Sequence, residues 1–267
     1  MGNYNGNFSK RICRPVIVLV FIFVINSFSN LSSVNAETKE DVLNTVVNYL
    51  NAQKDCNEED MITYSERAQQ ISNIKEFYKM MCKKLPLQEA KITNISIINE
   101  VTALVSIEAT HKDRIFIGTS PVIKKEGQWK IIRGIPDSGY VEYSPKSNRD
   151  ETEDEIRKSI EDYSTALKSG DINEIKKYIT IPSDKNKNRL EQYFKTISKE
   201  PIPQVTPLEI KVISETFAIA QIQTSNEHFS STQNYAVCKE DEQWKVVFGH
   251  TLTNSAIPKG DKSVEIK

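Results

Sequence analysis

The sequence predicts an α+β fold with two tandem domains, each made of three helices followed by an antiparallel sheet of about four strands. Three observations support this prediction. The chain contains one pattern twice, each copy is long enough for one domain, and in each copy apolar residues recur first with helical and then with strand spacing. Helices that precede the strands, without alternating with them, indicate α+β and argue against a parallel βαβ fold.

The duplication is clearest near the end of each copy, where residues 126–134 read EGQWKIIRG and residues 241–249 read DEQWKVVFG. An offset of 114 residues aligns the helical parts and an offset of 115 aligns the strands, so one net insertion separates them. Three blocks that align in one order indicate a true repeat. The predicted division is a segment 1–36, a first domain 37–134, a linker 135–150, a second domain 151–249 and a tail 250–267.

The predicted helices follow from apolar residues at helical spacing. Val42, Val46 and Tyr49 share one face of the first helix, and Ile156, Ile160 and Tyr163 repeat this face in the second copy. Thr38 with Asp41, and Thr152 with Glu155, resemble capping boxes at the starts of these helices. The remaining predicted helices are Glu58–Tyr64 and Arg67–Lys84 in the first copy, and Asn173–Tyr178 and Asn186–Ile197 in the second.

The predicted strands follow from alternation of apolar and polar residues, which is typical of half-buried antiparallel strands. In the first copy Ala103, Val105 and Ile107 share a face, and Ala218, Ala220 and Ile222 do so in the second. A strand around residues 92–97 opens the first sheet. The others are predicted at Thr102–Ala109, Arg114–Lys125 and Gln128–Arg133, and in the second copy at Glu209–Ile213, Phe217–Thr224, Ser231–Lys239 and Gln243–Phe248.

Residues 1–36 have the pattern of a secretory signal peptide. Lys10, Arg11 and Arg14 precede an apolar run, and Val34 and Ala36 place small side chains before a cleavage point at Glu37. This predicts a secreted or cell-envelope protein. The alternative is an uncleaved membrane anchor, so membrane association is expected only if residues 1–36 are retained.

Charge and cysteine content limit the partners and the covalent framework. Without the first 36 residues the chain has 32 Lys and Arg against 36 Asp and Glu, a net charge of −4, which gives no electrostatic basis for nucleic-acid binding. Three cysteines then remain. Cys56 and Cys82 lie in the helical part of the first copy and are candidates for a disulfide, but the odd number of cysteines favours the alternative of three free, buried thiols.

The order of helices and strands, together with the closing Gln-Trp-Lys-aliphatic-aliphatic strand, resembles the nuclear-transport-factor-2-like (cystatin-like) superfamily. The resemblance is greatest to small domains of secreted and envelope proteins of Gram-positive bacteria. It implies two tandem cone-shaped domains, in each of which a curved sheet wraps around a long helix. It does not imply one function, because this scaffold is used by enzymes, binding proteins and structural domains.

Four duplicated aromatic residues are the candidate ligand-binding residues: Tyr49 and Trp129 in the first copy, and Tyr163 and Trp244 in the second. Within a cone they could line a cavity and stack against or hydrogen-bond to a ligand. The alternative is that all four are packing residues, since large aromatic side chains commonly close a sheet against a helix.

No catalytic residue, metal ligand or cofactor is predicted. His111, His228 and His250 do not correspond between the copies, and we expect each in a loop or on the surface. The sequence contains no zinc, calcium, nucleotide-phosphate or dinucleotide motif. Because the apolar faces are duplicated and no reactive set is, the leading hypothesis is a non-enzymatic protein that binds a small apolar ligand or a protein partner.

Two alternatives remain open. Tandem domains of this superfamily behind an N-terminal anchor also resemble components of Gram-positive conjugation machines, so the chain could be a membrane-anchored assembly component of a conjugation or secretion machine. The other alternative is a small-molecule isomerase or dehydratase. Such an enzyme needs a buried carboxylate or histidine beside Tyr49 or Tyr163.

Overall fold

The computed structural model describes residues 36–135, 150–182, 192–194 and 202–258, which form two mixed sheets with helices on one face of each. The first copy has helix α1 (36–55), helix α2 and a short strand β1, helix α3, and then four long strands. The bounds after α1 are α2 Glu58–Tyr64, β1 Ser65–Arg67, α3 Ile74–Lys84, β2 Leu87–Asn99, β3 Thr102–His111, β4 Arg114–Lys125 and β5 Gln128–Arg133.

The second copy repeats this order and adds one strand at its end. A helical turn at 192–194 is all that the structure describes of the predicted helix Asn186–Ile197, most of which lies outside the described residues. The bounds are α4 Glu151–Ser169, α5 Ile172–Lys177, β6 Ile179–Thr180, β7 Gln204–Ser214, β8 Phe217–Ser225, β9 Ser230–Glu240, β10 Gln243–Leu252 and β11 Asn254–Pro258.

Each sheet contains the predicted four-stranded antiparallel meander and a short parallel strand that was not predicted. β1 pairs in parallel with β5, and β6 pairs in parallel with β10. The prediction that the third helix starts at Arg67 was therefore wrong, because Arg67 belongs to β1 and the helix starts at Ile74. A three-residue strand such as Ser-Glu-Arg has no periodicity of its own, and only its pairing with a distant strand defines it.

The ends of the long helices also differ from the predictions. The side chain of Asp150 caps α4 by accepting a hydrogen bond from the backbone N–H of Glu153, and Thr152 lies inside the helix. In the first copy α1 already includes Thr38. The predicted capping boxes are therefore not formed, because each helix begins before its threonine.

Each copy has its own core between the helices and the inner face of its sheet. In the first copy Val42 and Val46 of α1 pack on Ala103, Val105 and Ile107 of β3. In the second copy the equivalent residues of α4 and β8 form the same packing, which confirms the predicted apolar faces. The equivalent residues are Ile156, Ile160, Ala218, Ala220 and Ile222.

A third core lies between the outer faces of the two sheets, which pack against each other. Leu104 and Ile132 from the first sheet and Phe217 and Val247 from the second are all buried in this cluster. Strands β3 and β8 are therefore covered on both faces. We expected half-buried strands, and the difference arises because each copy buries the outer face of its neighbour.

The last strand, β11, joins the second copy to the sheet of the first. β5 pairs with β4 only at Val122–Lys125, and β11 pairs with the other end of β4, from Asn254 opposite Gly118 to Pro258 opposite Arg114. The backbone N–H of Thr119 also donates a hydrogen bond to the carbonyl of Thr253. Residues that were expected to form a tail thus extend the first sheet, up to the end of the described part at residue 258. Among the described residues, no helix has the length and apolar character needed to cross a membrane.

Candidate ligand pocket

Two arginines lie side by side on the inner face of the first sheet. In the parallel pair of β1 and β5, Arg67 is opposite Arg133, and two residues earlier Ser65 is opposite Ile131. Ile131 belongs to the inner core, and side chains alternate along a strand, so Arg67 and Arg133 project on the helix side of the sheet.

The guanidinium group of Arg133 is fixed by one hydrogen bond and one aromatic ring. Its Nη1 donates to Oγ of Ser120 at 3.2 Å. Its central carbon lies 5.7 Å from the centroid of the Tyr49 ring. Cation–π contacts at this distance orient an arginine without neutralising its charge.

The guanidinium group of Arg67 packs against the ring of Phe77, with 4.3 Å between its central carbon and the ring centroid. It also lies against Gly134, where an added Cβ would come within 2.4 Å of Nη2. Its Nε is buried and has no hydrogen-bond partner in the part of the chain that the structure describes. A buried donor without a partner is costly, and it indicates a group that an external molecule can satisfy.

Two phenols complete the polar part of this inner face. Tyr49 is only 3% exposed, and burial raises its pKa while the nearby Arg133 opposes the rise. The hydroxyl of Tyr78 is 2.7 Å from Oγ of Ser65. The raised pKa keeps Tyr49 neutral at pH 7, so its hydroxyl can donate a hydrogen bond but does not neutralise the arginines.

A pocket of about 690 Å³ opens beside Arg67, between β1, the following loop and α3. Among the described lining residues the one acid is Glu66, which already forms an ion pair with Lys125, with 2.7 Å between the charged atoms. The pocket therefore combines apolar and polar surface with a cation that has no ion-pair partner in the described part of the chain, a mixture that suits a small organic molecule. Its other lining residues are Ile62, Ser65, Gln69, Gln70, Ile71, Ser72, Ile74 and Tyr78.

The second copy has apolar residues at the same place. Since Val246 pairs with Ile179 as Ile131 pairs with Ser65, the residues equivalent to Arg67 and Arg133 are Ile181 and Phe248. Both pack against the second core. Phe248 forms an aromatic cluster with Tyr193 and Phe194, with ring centroids 5.3 Å from each.

The four predicted ligand-binding residues are all in or beside the cores. Tyr49, Trp129 and Trp244 are buried, and none of them is among the lining residues of the pocket beside Arg67. Tyr163 packs against the second core, where burial, followed by the neighbouring Tyr193, raises its pKa. Tyr49 is close to the site, since it supports Arg133.

The two tryptophans differ in how their indole N–H groups are satisfied. Nε1 of Trp244 donates to Glu155 at 3.3 Å, so the glutamate that was predicted to cap α4 instead binds the last long strand. Nε1 of Trp129 is buried and has no partner among the described residues. The equivalent of Glu155 in the first copy is Asp41, which is exposed.

Both candidate disulfide cysteines are free thiols in the structure. Cys56 is exposed and Cys82 is buried, with its sulfur 3.6 Å from the carbonyl oxygen of Gln53. Burial, together with a hydrogen bond to Cys56, raises the pKa of Cys82 to about 12. Cys238 is also free and buried, in the third core.

The expectation for the histidines was wrong for His111. This residue is 3% exposed on β3, and its Nδ1 lies 3.0 Å from the carbonyl oxygen of Leu85. Its ring also packs edge-on against Phe116. His228 is exposed in a loop, as expected, whereas His250 lies on β10 with Nε2 3.4 Å from Oγ of Ser96. Within the described residues, no group of three or more His, Cys, Asp or Glu could hold a metal ion.

The sequence prediction did not include Arg67 or Arg133, because it relied on residues that the two copies share. These arginines occupy inner-face positions at which the copies differ in charge. The closing strand shows half of this difference, since IIRG in the first copy aligns with VVFG in the second. The other half needed the parallel pairing of β1.

Comparison with known proteins matches the first copy to a family model. A family model described as "Putative lumazine-binding" matches residues 37–134. No curated protein matches the chain.

Solved structures also match parts of this chain. An NTF-2-like protein of unknown function from Silicibacter pomeroyi is 16% identical, with a TM-score of 0.31, over 36% of this chain and 92% of that one. An Ntf2-like protein involved in plasmid conjugation is 11% identical, with a TM-score of 0.25, over 78% and 89%. A cystatin-like protein from Ruminococcus gnavus is also 11% identical, with a TM-score of 0.23, over 65% and 67%.

Proposed function

We propose that the chain is an extracytoplasmic, non-enzymatic binding protein whose first copy holds a small organic ligand in the pocket beside Arg67. The second copy supports the first through the shared core and β11. The observation that carries the proposal is the pocket itself, which combines apolar residues, hydrogen-bonding groups and a guanidinium that has no ion-pair partner among the described residues. Secretion is inferred from the pattern in residues 1–36 alone.

A bicyclic heteroaromatic molecule such as lumazine is the first ligand to test. The only support for this choice is the description of the family model that matches the first copy. A planar ring can pack on the apolar residues Ile62, Ile71 and Ile74, while its carbonyl groups accept hydrogen bonds from the polar lining. The pocket volume of about 690 Å³ lies within the range of small-molecule sites.

The groups around the buried tyrosines favour binding over isomerase or dehydratase chemistry. The charged or ionisable groups that act on Tyr49 are Arg133, Tyr78 and Arg67. Those that act on Tyr163 are Tyr193 and Tyr235. Neither set contains a carboxylate or a histidine, which are the groups that isomerase or dehydratase chemistry would need beside the phenol.

Calorimetric titration of lumazine into the chain from Glu37 to Lys267 tests the proposed pocket. We expect binding that is lost in Gln70→Trp, because Gln70 is exposed at the pocket and a tryptophan there fills it without entering the core. The matched control is Lys112→Trp, at an exposed turn away from the pocket, which should bind like the wild type. No binding of any small molecule, or equal binding by both variants, contradicts the proposal.

Sequencing of the N-terminus from the native host tests the location. A protein that begins at Glu37 supports a secreted or envelope-associated binding protein. Retention of residues 1–36 instead favours a membrane-anchored assembly component, which would bind a protein partner.

A further inference from the structure

We propose that Arg67 and Arg133 together form an anion subsite that recognises a carboxylate or phosphate group on the ligand. This inference rests on the proposed binding function and deepens it. The expected ligand class is a small organic anion with an apolar or aromatic body.

The backbone pairing makes the two arginines neighbours on the sheet. Arg67 and Arg133 are directly opposite each other on adjacent strands, and strands in a sheet are about 4.8 Å apart. Both side chains project on the helix side, where Arg67 lines the pocket and Arg133 contacts Ser120 and Tyr49. Two neighbouring guanidinium groups can bind one anion through several parallel hydrogen bonds.

A bound anion would balance the positive charge that the described residues leave without an ion-pair partner. Among the described residues, neither arginine forms an ion pair, and the only acidic residue that lines the pocket is bound to Lys125. An arginine cannot relieve like-charge repulsion by losing its proton, because its pKa is too high. A bound carboxylate or phosphate removes the repulsion and also satisfies the buried Nε of Arg67.

The arginines are held in place before any ligand binds. The Phe77 ring supports Arg67, and the Tyr49 ring together with Ser120 supports Arg133. Their side chains therefore lose less conformational freedom on binding than free surface arginines would. The second copy lacks both cations, since Ile181 and Phe248 take their places, so the subsite belongs to the first copy alone.

Paired ligands that differ only in charge test the inference. Benzoate and phenyl phosphate are the anionic probes, benzamide is the neutral probe of the same shape as benzoate, and inorganic phosphate tests the head group alone. By calorimetry at low salt, we expect the aryl anions to bind at least tenfold more tightly than benzamide. We also expect their affinity to fall as salt increases.

Matched variants assign the effect to the two arginines. Arg67→Gln and Arg133→Gln should each weaken binding of the aryl anions about tenfold and leave benzamide binding unchanged. The control is Arg114→Gln, which removes one exposed cation outside the pocket and should change affinity less than twofold. Arg67→Lys should keep part of the affinity, because it retains charge but not the paired donors.

Thermal unfolding separates a binding role from a structural one. If the arginines serve a ligand, Arg67→Gln leaves the Tm of the free protein unchanged or higher, because it removes an uncompensated cation. If Arg67 is a structural residue, the same change lowers the Tm by several degrees.

The outcomes distinguish this inference from the proposed function. Equal affinity for benzoate and benzamide, or unchanged anion affinity in both glutamine variants, overturns the anion subsite. If the anion subsite fails in this way but lumazine or benzamide still binds, and Gln70→Trp still prevents that binding, the proposed ligand pocket is supported without the subsite. If no probe binds, both proposals fail.

Discussion

The two copies of the repeat have inner cores of the same design. They differ at the edge of that core, where β1 in the first copy and β6 in the second pair with the closing strand. In the first copy this place holds Arg67 and Arg133 beside a pocket, and in the second it holds Ile181 and Phe248 within an aromatic cluster. The same backbone pairing thus supports two cations without ion-pair partners among the described residues in one copy, and apolar side chains in the other. The proposed anion subsite therefore lies where the two copies differ in charge.

The largest effect is expected where the copies depend on each other, in the core between the two sheets. Phe217 is fully buried there, so Phe217→Ala leaves a cavity and should lower the free energy of unfolding by about 3–5 kcal/mol. Because the cluster contains residues of both sheets, we expect a single transition that shifts for both copies. Urea denaturation, together with hydrogen exchange of β3 and β8, measures this.

Phe229→Ala is the matched control for this change, since the side chain of Phe229 is 47% exposed. We expect it to change the free energy of unfolding by no more than about 0.5 kcal/mol. Two separate transitions, with the first copy unaffected by Phe217→Ala, would contradict the shared core.

The second test concerns the strand that the second copy adds to the first sheet. A Cβ on Gly118 would lie 2.4 Å from the carbonyl oxygen of Thr253, so Gly118→Ala must displace β11. We expect the free energy of unfolding to fall by about 1–3 kcal/mol. We also expect faster hydrogen exchange at the Thr119 amide, which donates a hydrogen bond to that carbonyl. Ile117→Ala, at a 46% exposed side chain on the same strand, should have little effect. An unchanged Thr119 amide would show that β11 does not hold the first sheet.

The tryptophans give a third, smaller contrast. Trp244→Phe removes a hydrogen bond to Glu155, whereas Trp129→Phe removes a buried donor that has no partner among the described residues. We therefore expect Trp244→Phe to be more destabilising by about 1 kcal/mol, as measured by denaturant titration. Glu155→Ala, alone and combined with Trp244→Phe, completes a double-mutant cycle, and the coupling energy should be zero if the hydrogen bond does not contribute.

The smallest effect is expected at the end of the long helix. Gly170 ends α4 with φ of 69°, and the equivalent residue in the first copy, Cys56, has φ of 54°. This left-handed conformation is unfavourable for a residue with a side chain, so Cys56→Gly should stabilise the reduced protein by about 0.5–1 kcal/mol. Thermal unfolding with and without reductant measures the change, with Cys56→Ser as the control that keeps the strain.

The same experiment tests the disulfide that the sequence left open. If Cys56 pairs with Cys82 under oxidising conditions, Cys56→Gly should instead destabilise the oxidised protein by about 2–5 kcal/mol. A gain in stability under both conditions indicates that the two thiols remain free.

The sequence predicted most of the fold because the spacing of apolar residues within each helix and strand is a local property. The strands Arg114–Lys125 and Gln128–Arg133 and the helix Glu58–Tyr64 have the predicted bounds. The prediction placed the start of β7 at Glu209, whereas it begins at Gln204. β7 is an edge strand, which tolerates Pro207 because the missing N–H need not pair.

The site was less predictable than the fold. Tyr49 was selected for its place on the buried face of α1, and it does support Arg133. The pocket residues around Gln70 and Ser72 lie in a loop without periodicity, and Arg67 was assigned to a helix. Irregular segments and very short strands obtain their positions from distant neighbours, so no local pattern could predict them.

The amino-acid sequence by itself determined the repeat, the α+β class and the apolar inner faces, because these depend on spacing along the chain. Only the tertiary structure decided that the sheets pack back to back, that β11 completes the sheet of the first copy, and that Arg67 faces Arg133. Each of these three features joins residues that are distant in the sequence, and their positions depend on which surfaces remain to be buried once the local elements have formed.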